Sequence, residues 1–307
     1  MQAACQSLFW TLARIGRPFG GIRPRRIIHR LARRAFPPHE VRPENMRWLR
    51  DRWGSELLLH PYYLVDRAII AFGDYDGTLH RFLEEHVRPG MICLDIGANI
   101  GEMALHMARL VGPHGHVHAF EPVPSVLARL RQNVQRNNLA DRITVHPVAL
   151  SNTTGTARIA FAEDTAENQG MGSLVTRDGP LHAECEVPTM TIDDFVRTHG
   201  IERIDLMKID IQGAELLLLE GGRHVFGEMS PDLLMEVSPE DLRSLGRTSR
   251  DLLATVAAYG YTIHELTPRG PGRTITAHTV PPNYSAANVY CTRRPSGHDL
   301  HMGQLQQ

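Results

Sequence analysis

The segment that most restricts the fold is Met91-Ile92-Cys93-Leu94-Asp95-Ile96 running directly into Gly97-Ala98-Asn99-Ile100-Gly101. A nearly all-apolar run, too short for a typical helix and bounded by turn residues, reads as a strand covered on both faces, as in a parallel sheet. Gly97 and Gly101 let the chain turn and pass close to another group. The stripe that follows, Met103, Ala104, Met107, Ala108 and Leu110, has helical spacing and stops at Gly112-Pro113. A helix beginning there points its free N–H groups and positive dipole end at the turn, which suits a bound nucleoside or carboxylate.

The alternation continues with a strand over His116 to Phe120, a helix over Ser125 to Asn137 and a strand over Ile143 to Leu150. Successive βα steps predict an α/β fold with a doubly wound, mostly parallel sheet. Between Gly155 and Met190 the order changes: Thr156 to Ala162 and Glu184 to Pro188 read as a hairpin insertion around a polar, glycine-containing loop. The loop Glu163 to Ser173, with Asn168, Gly170 and Gly172, is a candidate lid. The parallel pattern resumes with a strand at Ile204 to Ile209, a helix at Ala214 to Gly221, a strand at Leu233 to Val237 and a helix at Leu252 to Tyr259. Strands at Tyr261 to Leu266 and Asn288 to Thr292 finish the sheet. Upstream, Trp48 to His86 reads as helical. The expected divisions are therefore a basic, flexible extension over 1–47, a helical segment over 48–88, a catalytic domain over 89–295 and a tail over 296–307.

Composition narrows the function. A chain of 307 residues, 42% hydrophobic and 22% charged, can bury a substantial core. Its formal net charge of -1 does not point to nucleic acid as a partner. No apolar run reaches the roughly 18 residues of a membrane-spanning helix. The four cysteines, Cys5, Cys93, Cys185 and Cys291, form no close pair, which fits a reducing, cytoplasmic setting. The stretch from Arg14 to Arg34 is rich in arginine, and the first acidic residue is Glu40. It reads as a solvated tail, with weak peripheral contact to an anionic membrane as the alternative. His114, His116 and His118 have no carboxylate pair nearby in sequence, so they read as surface groups and no metal site is expected.

The chemistry of the turn separates possible ligands. A dinucleotide fingerprint needs G-x-G-x-x-G, and here Ala98 occupies the middle glycine position, which disfavours a nicotinamide-dependent oxidoreductase. Asp95, just ahead of the first glycine, suits a cationic group such as the methionyl amine of S-adenosylmethionine. The second strand ends in Phe120-Glu121-Pro122, where a carboxylate can accept hydrogen bonds from a ribose diol. A catalytically silent binding module is the third reading, and the intact Asp95, Gly97, Gly101 and Glu121 set argues against it.

Several motifs in order resemble the FkbM-type family of S-adenosylmethionine-dependent methyltransferases. They are L-D-I-G-A-N-I-G (Leu94 to Gly101), A-F-E-P (Ala119 to Pro122), Asn137-Asn138, V-A-L-S (Val148 to Ser151), G-S-L (Gly172 to Leu174) and D-L-M-K-I-D-I-Q-G-A-E (Asp205 to Glu215). The likeness covers roughly Asp76 to Thr292. It implies the class I methyltransferase (Rossmann-like) fold and, usually, methylation of a hydroxyl on a sugar or secondary metabolite. By the same resemblance the cofactor set extends from Asp95, Gly97, Gly101 and Glu121 to Ala98, Asn99, Pro122 and Ala149. Asp210 and Glu215 then fall where the transferred methyl is expected, and Glu236 near the end of the next strand is a third candidate base.

Overall fold

The computed structural model describes residues 2–16, 25–36, 45–161 and 183–294. In chain order the elements begin with helices α1 (Gln2–Gly16) and α2 (Arg25–Ala35) and a hairpin of β1 (Arg47–Arg50) and β2 (Glu56–Leu59). Helices α3 (Leu64–Phe72) and α4 (Gly77–His86) lead into β3 (Ile92–Ile96), α5 (Glu102–Leu110), β4 (His116–Phe120), α6 (Pro124–Arg136) and β5 (Ile143–His146). Next come β6 (Ala149–Leu150), β7 (Gly155–Phe161), β8 (Ala183–Met190), α7 (Ile192–His199), β9 (Leu206–Ile209) and α8 (Glu215–Glu220). The chain ends with β10 (Asp232–Val237), α9 (Pro239–Ser244), α10 (Ser249–Ala258), β11 (Thr262–Thr267), β12 (Gly270–Ile275) and β13 (Ala286–Thr292).

The central sheet has eight strands in the order β12-β11-β13-β10-β9-β3-β4-β5. Pairing is parallel from β5 through β4, β3 and β9 to β10, and antiparallel from β10 to β12. The fold is the doubly wound α/β type expected. From β3 the chain winds outward through α5 to β4 and β5; from β9 it winds the other way through α8 to β10. That reversal opens a crevice beyond the carboxyl ends of β3 and β9, where such sheets bind ligands. Strand residues alternate between two cores. Cys93, Val117 and Ala119 join α3, α5 and α6 on one face, whereas Leu94, Ile96 and Phe120 join α7, α8 and α10 on the other.

The structure departs from the sequence expectations in several places. The stretch from Trp48 does not open as helix: Trp48 to Leu59 is an antiparallel hairpin, and the helices begin at Leu64. The backbone of β2 is met by side chains of α6 and of Asn137, the residue after it. Leu58 N donates to Asn133 Oδ1 and Glu56 N to Asn137 Oδ1, both at 2.9 Å, and Asn137 Nδ2 returns a bond to Glu56 O at 2.7 Å. The expected strand Ile143 to Leu150 is two strands, because β6 leaves the main sheet to pair with β8. The inserted hairpin is present, with β7 antiparallel to β8 and Ala157 opposite Val187. Its candidate lid, Glu163 to Ser173, lies outside the described residues. Helix α7 and strand β12 were not anticipated.

Where a flexible basic arm was expected, α1 and α2 contribute buried residues to the same core as α3, α5 and α6. Phe9, Ala32, Ala35 and Phe36 are all buried there, and the Phe9 and Phe36 rings meet edge-on with centroids 5.3 Å apart. Arginine content concealed an apolar face. Among the described residues no helix is long and apolar enough to cross a membrane.

Candidate active site

The crevice holds a cavity of about 1250 Å³. One end is walled by the turn Gly97 to Ile100, by Glu121, Pro122 and Val123 after β4, and by Val148, Ala149 and Leu150. The other end carries Asp210 and Gln212 after β9, Glu236 and Ser238 at the end of β10, Glu240 and Asp241 in α9, and Asn288 from β13. Tyr75, Asp76, Thr78 and Arg81 border it from the segment entering α4 and from α4 itself.

The turn after β3 is held by its neighbours. Gly97 and Ala98 donate their N–H groups to Phe120 O at 3.1 and 2.9 Å. Asn99 adopts a left-handed φ of 51° and its N–H donates to Glu121 Oε2 at 3.0 Å. Glu121 Oε1 accepts from Val123 N at 2.9 Å, so the carboxylate stands fixed at the cavity wall while only 3% exposed. Burial pushes it up to about 7, against the pull of those two N–H groups. A buried carboxylate with acceptor capacity beyond its two backbone bonds, beside the apolar Val123, Val148 and Leu150, matches a ribose diol and an adenine ring. This arrangement therefore fits an adenosyl cofactor.

Gly97 and Gly101 serve packing as well as the turn. Gly97 has φ 79°, and a Cβ there would lie 1.9 Å from the carbonyl oxygen of Asp210. At Gly101, φ 92°, it would lie 2.5 Å from Leu130 Cδ1 of α6. Gly101 is thus a packing position that does not line the cavity, whereas Gly97 does both jobs.

Asp95 requires a correction. It is fully buried and does not line the cavity, so it is not placed to meet a cofactor amine from this wall. Its Oδ1 lies 3.3 Å from Lys208 Nζ, which donates to Gly97 O at 2.9 Å and lies 3.6 Å from Asp210 Oδ2. Burial opposes the charge on Lys208, but Asp95 and then Asp210 more than offset it and hold the ammonium protonated. Lys208 escaped the sequence reading. The available signal was a single charge inside the apolar run Leu206-Met207-Lys208-Ile209, which a buried strand tolerates only if it is paired.

The three candidate bases part company. Glu215 turns away from the cavity and accepts from Ile211 N and Gly213 N, each at 3.3 Å, which fixes the turn between β9 and α8. It is a positioning residue, contrary to the catalytic expectation. Asp210 and Glu236 both face the cavity. The parallel register sets Met235 opposite Ile209, so the two following carboxylates emerge side by side. Gln212 Nε2 spans them, 3.1 Å from Asp210 Oδ1 and 3.5 Å from Glu236 Oε2. Burial and then the neighbouring Asp210 push Glu236 up to about 8. Gln212, at a left-handed φ of 53°, is a second residue missed from sequence.

Comparison with known proteins gives the family of the chain. Residues 95–263, more than half of the chain, match the methyltransferase FkbM domain. The chain is 29% identical over 202 residues to 31-O-demethyl-FK506 methyltransferase FkbM of Streptomyces tacrolimicus, covering 58% of this chain and 75% of that protein. It is 32% identical over 153 residues to 2-O-methyltransferase NoeI of Sinorhizobium fredii, covering 44% of this chain and 59% of that one. A solved FkbM methyltransferase from Methylobacillus flagellatus KT is 18% identical with a TM-score of 0.42, over 92% of this chain and 57% of that structure. A strand–turn–helix cradle with a fixed carboxylate after the next strand, in a chain whose central 169 residues match that domain, places the protein in the FkbM family of S-adenosylmethionine-dependent methyltransferases.

Proposed function

We propose that the enzyme transfers a methyl group to a hydroxyl oxygen of a polyhydroxylated acceptor, a saccharide or an oxygen-rich secondary metabolite. The observation that carries this reading is the polar end of the cavity, where Asp210, Gln212, Glu236, Ser238 and Asn288 converge. Planar carboxylate and amide groups accept and donate paired hydrogen bonds, as neighbouring hydroxyls require. The two relatives named above, a 2-O-methyltransferase and a 31-O-demethyl-FK506 methyltransferase, support oxygen as the acceptor atom.

S-adenosylmethionine supplies an electrophilic methyl carbon on a sulfonium. The residues proposed to hold it are Gly97, Ala98 and Asn99 of the turn, Glu121 and Pro122 at the ribose, and Ala149 beside the base. Asp210 orients the acceptor hydroxyl and takes its proton as the new C–O bond forms. Much of the acceleration comes from alignment of acceptor and donor in one cavity. The four cysteines are unpaired, which supports a reducing, cytoplasmic setting.

The test is incubation of the full chain with methyl-labelled S-adenosylmethionine and cell extract, followed by identification of the labelled product. Label in an acid-stable, base-stable O-methyl ether supports the reading. Label in an amine, a carboxyl ester or a nucleic acid would overturn it.

A further inference from the structure

We propose that Asp210 and Glu236 share one proton in the free enzyme and release it when the sulfonium cofactor binds, so that the base is generated only when the methyl donor is in place. The proposal rests on the reading of Asp210 as the acceptor-side base. It adds Glu236 as the partner that determines when Asp210 is available.

Geometry supplies the first argument. The strand register sets Asp210 and Glu236 side by side, and Gln212 Nε2 spans the two carboxyl groups, 3.1 Å from Asp210 Oδ1 and 3.5 Å from Glu236 Oε2. Two carboxyl groups side by side do not both carry charge readily, because like charges repel. Charge balance supplies the second. From β9, Lys208 faces the pair, but Asp95 of β3 lies nearer to its ammonium, 3.3 Å against 3.6 Å for Asp210. From α8 the neighbour is Glu215, from α9 Glu240 and Asp241 border the same cavity, and β13 contributes the neutral Asn288. Arg52 and Arg81 border the cavity from the other side, as do Asp76, Glu102 and Glu121. Acidic groups exceed the cations, and one retained proton relieves part of the excess. In agreement, burial and the neighbouring Asp210 push Glu236 up to about 8, so the Glu236 carboxyl favours its proton at neutral pH.

S-adenosylmethionine and its product S-adenosylhomocysteine differ by one permanent positive charge. With the sulfonium in the cavity, ionisation of both carboxyl groups is favoured, and the proton passes to solvent. During transfer the S–CH3 bond breaks as the C–O bond forms, and the sulfur becomes a neutral thioether. The hydroxyl proton returns to the carboxyl pair, which regains its starting state. Atoms and charge balance without another reactant.

Calorimetry of the full chain at pH 7, in buffers of different ionisation enthalpy, reads the proton directly. Binding of S-adenosylmethionine should release up to one proton more than binding of S-adenosylhomocysteine, and the same comparison in the variants below removes any contribution from the ligands' own amines. Equivalently, the ratio of Kd for S-adenosylmethionine to Kd for S-adenosylhomocysteine should fall by up to about tenfold per pH unit between pH 6 and 8. Glu236→Gln and, separately, Asp210→Asn should each abolish the difference while both ligands still bind. Equal proton release for the two ligands, or a difference that persists in both variants, would overturn the proposal while leaving the O-methylation reading standing. Normal proton release with label found on nitrogen would instead remove the acceptor reading and leave the proton-sharing pair in place.

Discussion

Glu121 links local turn geometry to the wall of the cavity. Its oxygens fasten the turns at Asn99 and Val123 and keep remaining lone pairs toward the cavity. Glu121→Ala should weaken S-adenosylmethionine by roughly 1–3 kcal/mol, the cost of lost hydrogen bonds to a buried group, and Glu121→Gln should be milder. Calorimetry with the cofactor and with an adenosine analogue lacking both ribose hydroxyls checks this; equal affinity for the two ligands in the native enzyme would remove the ribose role. Asp210→Asn should lower kcat by about 10²-fold or more with little change in cofactor affinity, which single-turnover kinetics and binding together would establish. Gly97→Val is expected to unsettle the fold itself, because a Cβ there runs into the Asp210 carbonyl. A lowered unfolding midpoint in the absence of cofactor is the measurement, and an unchanged midpoint would mean the β9 turn relaxes.

Elements are joined across the site by buried polar groups that belong to two strands or to a strand and a helix. Lys208 ties β9 to β3 through Asp95 and to the turn through Gly97 O. Lys208→Met leaves Asp95 buried without its cation, and breaking such a pair costs about 3–5 kcal/mol. Denaturant titration should show that loss, with Asp95→Asn combined with Lys208→Met recovering part of it. Glu215 holds the β9–α8 turn, and burial pushes it from 4.5 up to about 7. Because its folded value is raised, its contribution is fully present below about 4.5 and fades as pH rises through about 7. Relative to the native chain, Glu215→Gln should therefore gain stability as pH rises from 5 to 8, approaching about 3 kcal/mol. A pH-independent difference between the two would show that Glu215 keeps an ordinary titration in the fold.

At the scale of the whole molecule, the helices before β3 are part of the core. Gln6 Nε2 donates to Ala35 O at 3.0 Å, and a chain of ring contacts runs from Phe9 through Phe36 and His60 to Tyr63. Burial of Phe9 alone is worth about 1.5–3 kcal/mol. Deletion through Arg34 should therefore lower Tm by roughly 4 °C or more and expose apolar surface, readable by scanning calorimetry and light scattering. An unaltered Tm would show that α1 and α2 contribute nothing to the core. The sequence reading of this region stopped at its arginines, since charge density is visible residue by residue whereas an apolar face counts only when a partner covers it.

The strands, the glycine turn, Glu121 and the winding order are legible in the chain because each depends on a few consecutive residues: backbone sterics, period and turn chemistry. Trp48 to Leu59 misled for the same reason, since its edge is completed by Asn133 and Asn137, more than seventy residues away. Which carboxylates share the cavity was a tertiary decision. Asp95, Asp210 and Glu236 lie at or beside strand ends and Glu215 opens α8, and nothing local tells the two that face the cavity from the two that turn inward. The register of β10 on β9 brings Glu236 beside Asp210, and Lys208 draws Asp95 beneath the turn. Side-chain direction there follows from strand register, the Lys208 ammonium and the backbone N–H groups that hold Glu215, which come together only once the sheet has formed.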